Sequence, residues 1–105
     1  MGGGNAVTRQ LSLSVNEAPI KLDYFVRAFV DHTFSGMVQS LEGTGPFETA
    51  SLSIDGDEVV LTLNDSLVPT NMFASKIIRS TAIGMVSPLK GVGSTVTNLK
   101  LEVGH

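Results

Sequence analysis

Apolar and polar residues alternate along this chain with one of two periods, and the change from one period to the other marks its elements. Leu11-Ser12-Leu13-Ser14-Val15 alternates with period two, the pattern of a strand with one buried face. The pattern returns at Ala50, Leu52 and Ile54 between Ser51, Ser53 and Asp55, at Val59, Leu61 and Leu63 between Val60, Thr62 and Asn64, and at Leu99, Leu101 and Val103 between Lys100 and Glu102. These four segments predict strands. Asp55-Gly56, between the second and third, tolerates positive φ and suits a type I′ turn, so these two strands should form a tight hairpin. Asp23 and Asn71 are good N-cap residues, each followed by an apolar segment of helical spacing that ends near a glycine, Gly43 or Gly91. Pro88 near the end of the second such segment predicts a shorter or kinked helix there.

The same unit occurs twice. A shift of 48 places lays Leu13, Asn16, Phe25, Thr33, Gly36, Met37, Val38, Leu41, Gly43 and Gly45 on Leu61, Asn64, Phe73, Thr81, Gly84, Met85, Val86, Leu89, Gly91 and Gly93. Each copy reads strand, helix, strand, and copies of one unit complete their core against each other. The order βαβ-βαβ, with right-handed crossovers and a hairpin at the junction, predicts an α+β, ferredoxin-like two-layer sandwich built from a tandem βαβ duplication. Its antiparallel sheet is expected in the order 4-1-3-2, with both helices on one face. Residues 1–10 are expected to be a flexible N-terminal tail or cloning remnant, and 11–105 a single domain, repeat 1 covering about 11–55 and repeat 2 about 57–104. An arrangement in which each repeat packs on another chain's copy is the competing topology.

A residue identical in both copies sits in two equivalent places, which favours packing over a unique chemical role. Thr33-x-x-Gly36-Met37 and Thr81-x-x-Gly84-Met85 lie mid-helix, where glycine costs about 1 kcal/mol relative to alanine. The expectation is close helix–helix approach at Gly36 and Gly84, with Thr33 and Thr81 bonding back to their own helix. Gly43-Thr44-Gly45 and Gly91-Val92-Gly93 end helices. A phosphate loop opens a helix, so these glycines read as C-caps.

Positions that differ between the copies are where specific chemistry would be written. Asp31-His32 is replaced by Arg79-Ser80 in the second copy. Adjacent helical residues diverge by roughly 100°, so Asp31 and His32 do not form a dyad, whereas Arg27 and Asp31 have the spacing of an exposed ion pair. Asp55, Asp57 and Glu58 crowd the hairpin without the ligand spacing of a calcium loop. They read as charges guarding strand ends. Asn64-Asp65-Ser66 fits a glycosylation sequon but reads as a turn.

Composition narrows the partners. Charged residues make up 16% and net charge is −3 with seven Lys and Arg, so there is no basic stripe for a nucleic acid. The sheet face opposite the helices should carry Ser12, Ser14, Ser51, Ser53, Val60, Thr62, Lys100 and Glu102, without the aromatic rings on which RNA-binding sheets stack bases. Cysteine is absent, which removes disulfides, thiolate nucleophiles and iron–sulfur ligation. The most apolar stretch, Phe25 to Val38, contains Arg27 and Asp31 and is too short to span a membrane. A cytoplasmic location without membrane contact is expected.

No catalytic, metal or cofactor motif is present in the sequence, so no catalytic residue and no cofactor are assigned. The low charge and the wide apolar arcs of both helices point instead to association. The expected function is that of a non-enzymatic homo-oligomeric accessory, protein-interaction or ligand-binding domain, a dimer first. The alternative is a small oligomeric enzyme or sensor with its site between subunits, and there Lys21, Asp65 and Arg79 are the polar groups to examine.

Overall fold

The computed structural model describes residues 10–42, 47–89, 91–93 and 95–104. Its elements are β1 (Gln10–Val15), β2 (Ala18–Pro19), α1 (Tyr24–Glu42), β3 (Ala50–Asp55), β4 (Glu58–Leu63), β5 (Ser66–Val68), α2 (Met72–Val86) and β6 (Asn98–Gly104). Residues 1–9 of the expected tail, the segment Gly43-Thr44-Gly45 and His105 lie outside the described residues.

The six strands form one antiparallel sheet in the order β2-β1-β6-β3-β4-β5. Leu11, Leu13, Val15, Ala50, Leu52, Ile54, Leu61, Leu63, Leu99, Leu101 and Val103 are all buried on one side of it. Both helices cover that side, α1 through Val30, Phe34 and Val38 and α2 through Ile78, Ala82 and Val86. Phe47, ahead of β3, closes the core edge-on against Phe34, with ring centroids 5.8 Å apart. The fold is therefore α+β in two layers.

The strand order differs from the ferredoxin-like 4-1-3-2. Among the four long strands the order is β1-β6-β3-β4, which puts the last strand of each half at the centre and the first strand of each half outside. The cause is local. Asn16 and Glu17 have φ of 51° and 69°, and Asn64 and Asp65 have φ of 49° and 67°. Positive φ at both central residues is the type I′ signature, and each pair closes a two-residue hairpin, β1–β2 or β4–β5. Those hairpins occupy one edge of β1 and of β4. The order 4-1-3-2 requires both edges of these strands for long-strand partners, so it is closed to this chain.

The two halves fold alike. β1·β2 pairs Ser14 with Pro19 and Val15 with Ala18, and β4·β5 repeats this 48 residues on, with Thr62 on Leu67 and Leu63 on Ser66. β1·β6 pairs Leu11 with Val103 and Leu13 with Leu101, and β4·β3 pairs Val59 with Ile54 and Leu61 with Leu52. The offset is 48 for the first strands and 49 for β3 and β6, because the second half has one more residue between the start of its helix and the equivalent position of its last strand, Met72 to Leu101 against Tyr24 to Leu52. One apolar row crosses the sheet, Leu13–Leu101–Leu52–Leu61, with Val68 beyond Leu61 and Ile20 donating its N–H to the Leu13 carbonyl at 2.9 Å.

Both expected N-caps form. Asp23 accepts the Val26 N–H at 2.8 Å and Asn71 accepts the Ala74 N–H at 2.7 Å. α1 has 19 residues and α2 has 15, so the second helix is shorter by about a turn. α2 ends on Ser87 in right-handed conformation, and Gly91 lies beyond it at φ 90°, so Gly91 shapes the following turn and is not the helix cap. The β3–β4 hairpin forms with Asp55 opposite Glu58, but only Gly56 of its central residues has positive φ, the pattern of a type II′ turn.

Candidate functional site

Two broad surfaces flank the core, and sequence alternation fixes what each presents. On the open sheet face, strand register sets two rows. One is Ser12, Glu102, Ser51, Thr62 and Leu67, and the other is Pro19, Ser14, Lys100, Ser53 and Val60. Lys100 and Glu102 were expected on an edge strand. They stand on the central strand β6, each between two serines, because β6 lies between β1 and β3.

At one end of this face is an open depression of about 400 Å³, lined by Gln10, Ser12, Thr49, Ser51, Thr62, Asp65, Glu102 and Gly104 and the strand backbone beneath them. Gly104 pairs with Gln10 of β1 at this end, and Asp55 pairs with Glu58 of β4 at the other. Two carboxylates, a carboxamide and four hydroxyls converge there. All lie on the exposed face of the sheet, in contact with water.

The asparagines that start the type I′ turns are structural. Asn16 Oδ1 accepts the Thr97 N–H at 2.8 Å, the Thr97 hydroxyl at 2.9 Å and the Asn98 N–H at 3.2 Å, and its Nδ2 donates to the Thr95 carbonyl at 2.7 Å. Asn64 Oδ1 likewise accepts the Glu48 and Thr49 N–H groups at 2.9 and 3.2 Å. Each asparagine ties a turn at the outer strand pair to the lead-in of a central strand. Their identity in both copies was visible in the sequence, and the tie was not.

The outer face of the helix layer is the less ordinary surface. Tyr24 and Phe25 at the start of α1 are 81% and 73% exposed, and their counterparts Met72 and Phe73 at the start of α2 are 88% and 71% exposed. Phe29, one turn on, is also exposed and stacks its ring parallel to Phe25 at 6.4 Å. The excess apolar arc thus reaches solvent. Following the same outward row along α1 gives Phe25, Phe29, His32 and Gly36, and along α2 it gives Phe73, Ile77, Ser80 and Gly84.

Gly36 and Gly84 therefore do not face the other helix. Both are exposed, and a Cβ built on either meets no atom within 4 Å outside its own helix turn. Thr33 and Thr81 are half-buried, and neither hydroxyl makes a back-bond among the hydrogen bonds described. Met37 is half-buried against the core, and Met85 belongs to it.

The remaining polar candidates are dispersed. Asp31 accepts a hydrogen bond from the Ser35 hydroxyl at 3.1 Å. His32 is exposed on the outward row. Arg79 Nε donates to the Gly56 carbonyl at 2.7 Å and lies 3.8 Å from Asp57, which fastens α2 to the β3–β4 turn. Asp65 lines the depression at the opposite end of β4, and Lys21 follows β2 on the far edge of the sheet. Lys21, Asp65 and Arg79 do not form one site. Among the described residues no group of three or more His, Asp or Glu side chains is placed to hold a metal ion, and no helix is long and apolar enough to cross a membrane.

No family model, curated protein or solved structure matches this chain.

Proposed function

We propose that this domain works by association: it is a non-enzymatic homo-oligomeric accessory or interaction unit, dimeric in its simplest form, and the outer helix face is its contact surface. The observation that carries this reading is the pairing of Tyr24 and Phe25 with Met72 and Phe73. Four large apolar side chains at equivalent positions of two helices are each more than 70% exposed. Scattered exposed apolar residues are ordinary, but large apolar pairs exposed at the same place on both helices support a protein contact. Phe25 and Phe73 are identical in the two halves, and no core contact explains that identity because neither packs in the core.

Native mass spectrometry of the gently purified protein tests the reading. The expected spectrum is an oligomer of the 11.1 kDa chain without added mass, and a monomer at tens of micromolar contradicts it. A second reading, a small-molecule site, is favoured by the depression beside Glu102 and Gly104. Its mark in the same spectrum is a small ligand retained on the protein.

A further inference from the structure

We infer that the β3–β4 turn is a latched hinge through which two copies of this chain exchange halves: when it opens, the β1–β3 half of each copy completes its sheet with the β4–β6 half of the other. The contact is the one already made inside the chain, so the inference does not depend on the outer helix face.

The first ground is that the halves interlock. β3 lies between β6 and β4, both from the second half, and β6 lies between β1 and β3, both from the first. Among the described residues, the strand pairing inside a half is confined to its edge hairpin, β1·β2 or β4·β5. The last strand of each half therefore pairs only with strands of the other half. Gly56 and Asp57 alone separate Asp55 from Glu58, where β3 passes to β4. A second chain supplies every one of these strand partners equally well.

The second ground is the equivalent corner of the sheet, which forms without a turn. A shift of 49 takes Asp55 of β3 to Gly104 of β6, and a shift of 48 takes Gln10 of β1 to Glu58 of β4. The Asp55–Glu58 pair thus corresponds to the Gln10–Gly104 pair. Gln10 and Gly104 stand opposite each other although they lie far apart along the chain, so the register of this corner does not require the connection.

The third ground is how the turn is held. Gly56 has φ of 60°, its N–H donates to the Thr97 carbonyl at 2.9 Å, and its carbonyl accepts from Arg79 Nε at 2.7 Å. Both partners belong to the second half. The residue equivalent to Arg79 in the first half is Asp31, so this contact is particular to the junction. With the turn closed, pairing is intramolecular, and its high effective concentration keeps the halves of one chain together. Strain in a short hinge shifts the balance toward exchange, because the strain is released when the turn straightens.

The chain has no cysteine, and Ser53 and Lys100 stand opposite each other across β3 and β6 on the open sheet face. A Ser53→Cys chain and a Lys100→Cys chain are mixed, unfolded in urea and refolded together at high micromolar concentration under mild oxidation. Exchange places the two cysteines side by side, and the link is mapped by mass spectrometry. Copies docked face to face leave each position opposite its own chain's partner. A Ser12→Cys chain mixed with the Ser53→Cys chain should give no such link, since both positions belong to the first half and β6 lies between them. Gly56→Val in both chains should raise the linked fraction roughly 10-fold or more, because a β-branched residue is strained at positive φ. Arg79→Ala keeps Gly56 and removes only the side chain that holds the turn. It should raise the fraction by a smaller factor, and it decides alone where Gly56→Val does not refold. A Gly56→Val chain that refolds by circular dichroism without a rise in the link, or an Arg79→Ala chain that links no more than wild type, overturns the inference. The association reading is judged by the mass of the wild-type chain and this inference by the link, so the failure of one is distinct from the failure of the other.

Discussion

Leu52 and Leu101 lie directly opposite each other on the core side of β3 and β6, the two central strands of the sheet. Each is fully buried, and each continues outward to a second leucine, Leu52 to Leu61 and Leu101 to Leu13. Four leucines thus cross the long strands in one row. β3 belongs to the first half of the chain and β6 to the second, so a change at either residue is felt by both halves.

Leu52→Ala and Leu101→Ala should each destabilise the fold by about 2–5 kcal/mol, the cost of emptying a buried leucine site. The two losses should be similar because the sites are equivalent. The double variant should depart from additivity, since the residues share one cavity. Urea unfolding of the three variants, read by circular dichroism, measures this.

Asn16→Ala should cost more than Asn64→Ala. Asn16 makes four side-chain hydrogen bonds to the lead-in of β6, and Asn64 makes two to that of β3. With each bond contributing ~0.5–1.5 kcal/mol, the difference should be on the order of 1–2 kcal/mol. Glycine at either site keeps the positive φ and loses only the side-chain bonds, so it should fall between wild type and alanine. Thermal unfolding ranks the four variants.

Asp23→Ala and Asn71→Ala each remove one N-cap acceptor and should cost ~1 kcal/mol apiece. Serine at either position should recover most of the loss. Chemical denaturation of these pairs tests whether the two helices depend equally on their caps.

Arg79→Ala should destabilise more than Asp57→Asn. The arginine donates a 2.7 Å hydrogen bond to the Gly56 carbonyl and so holds α2 on the β3–β4 turn, whereas Asp57 is fully exposed at 3.8 Å and screened by water. High salt should leave the Arg79 effect largely intact. Salt-dependent unfolding of the two variants separates the contributions.

The strands, their buried faces and the helix starts were legible because each rests on a local rule: period-two alternation at Leu11–Val15 and Leu99–Val103, and capping side chains at Asp23 and Asn71. The edge hairpins were not, since Asn16-Glu17 and Asn64-Asp65 lack the glycine that usually marks a type I′ turn. Those hairpins decide the strand order, because the edges they occupy determine which strands can be central. Gly36 and Gly84 stand out as mid-helix glycines, but a sequence repeat cannot say whether the space beside a glycine is filled by the same chain or lies open. The single shift of 48 also hid the equivalence of Leu52 with Leu101, which needs 49.

Sedimentation equilibrium of the wild-type chain beside a Phe25→Ser/Phe73→Ser variant, from low to high micromolar concentration, tests the proposal of association through the helix face most directly. Both phenylalanines are exposed, so the variant should retain its fold. Association through this face gives twice the 11.1 kDa chain mass for wild type at the upper concentrations and the single chain mass for the variant. A wild-type chain that sediments as a monomer throughout, or a variant that dimerises as well as wild type, contradicts it.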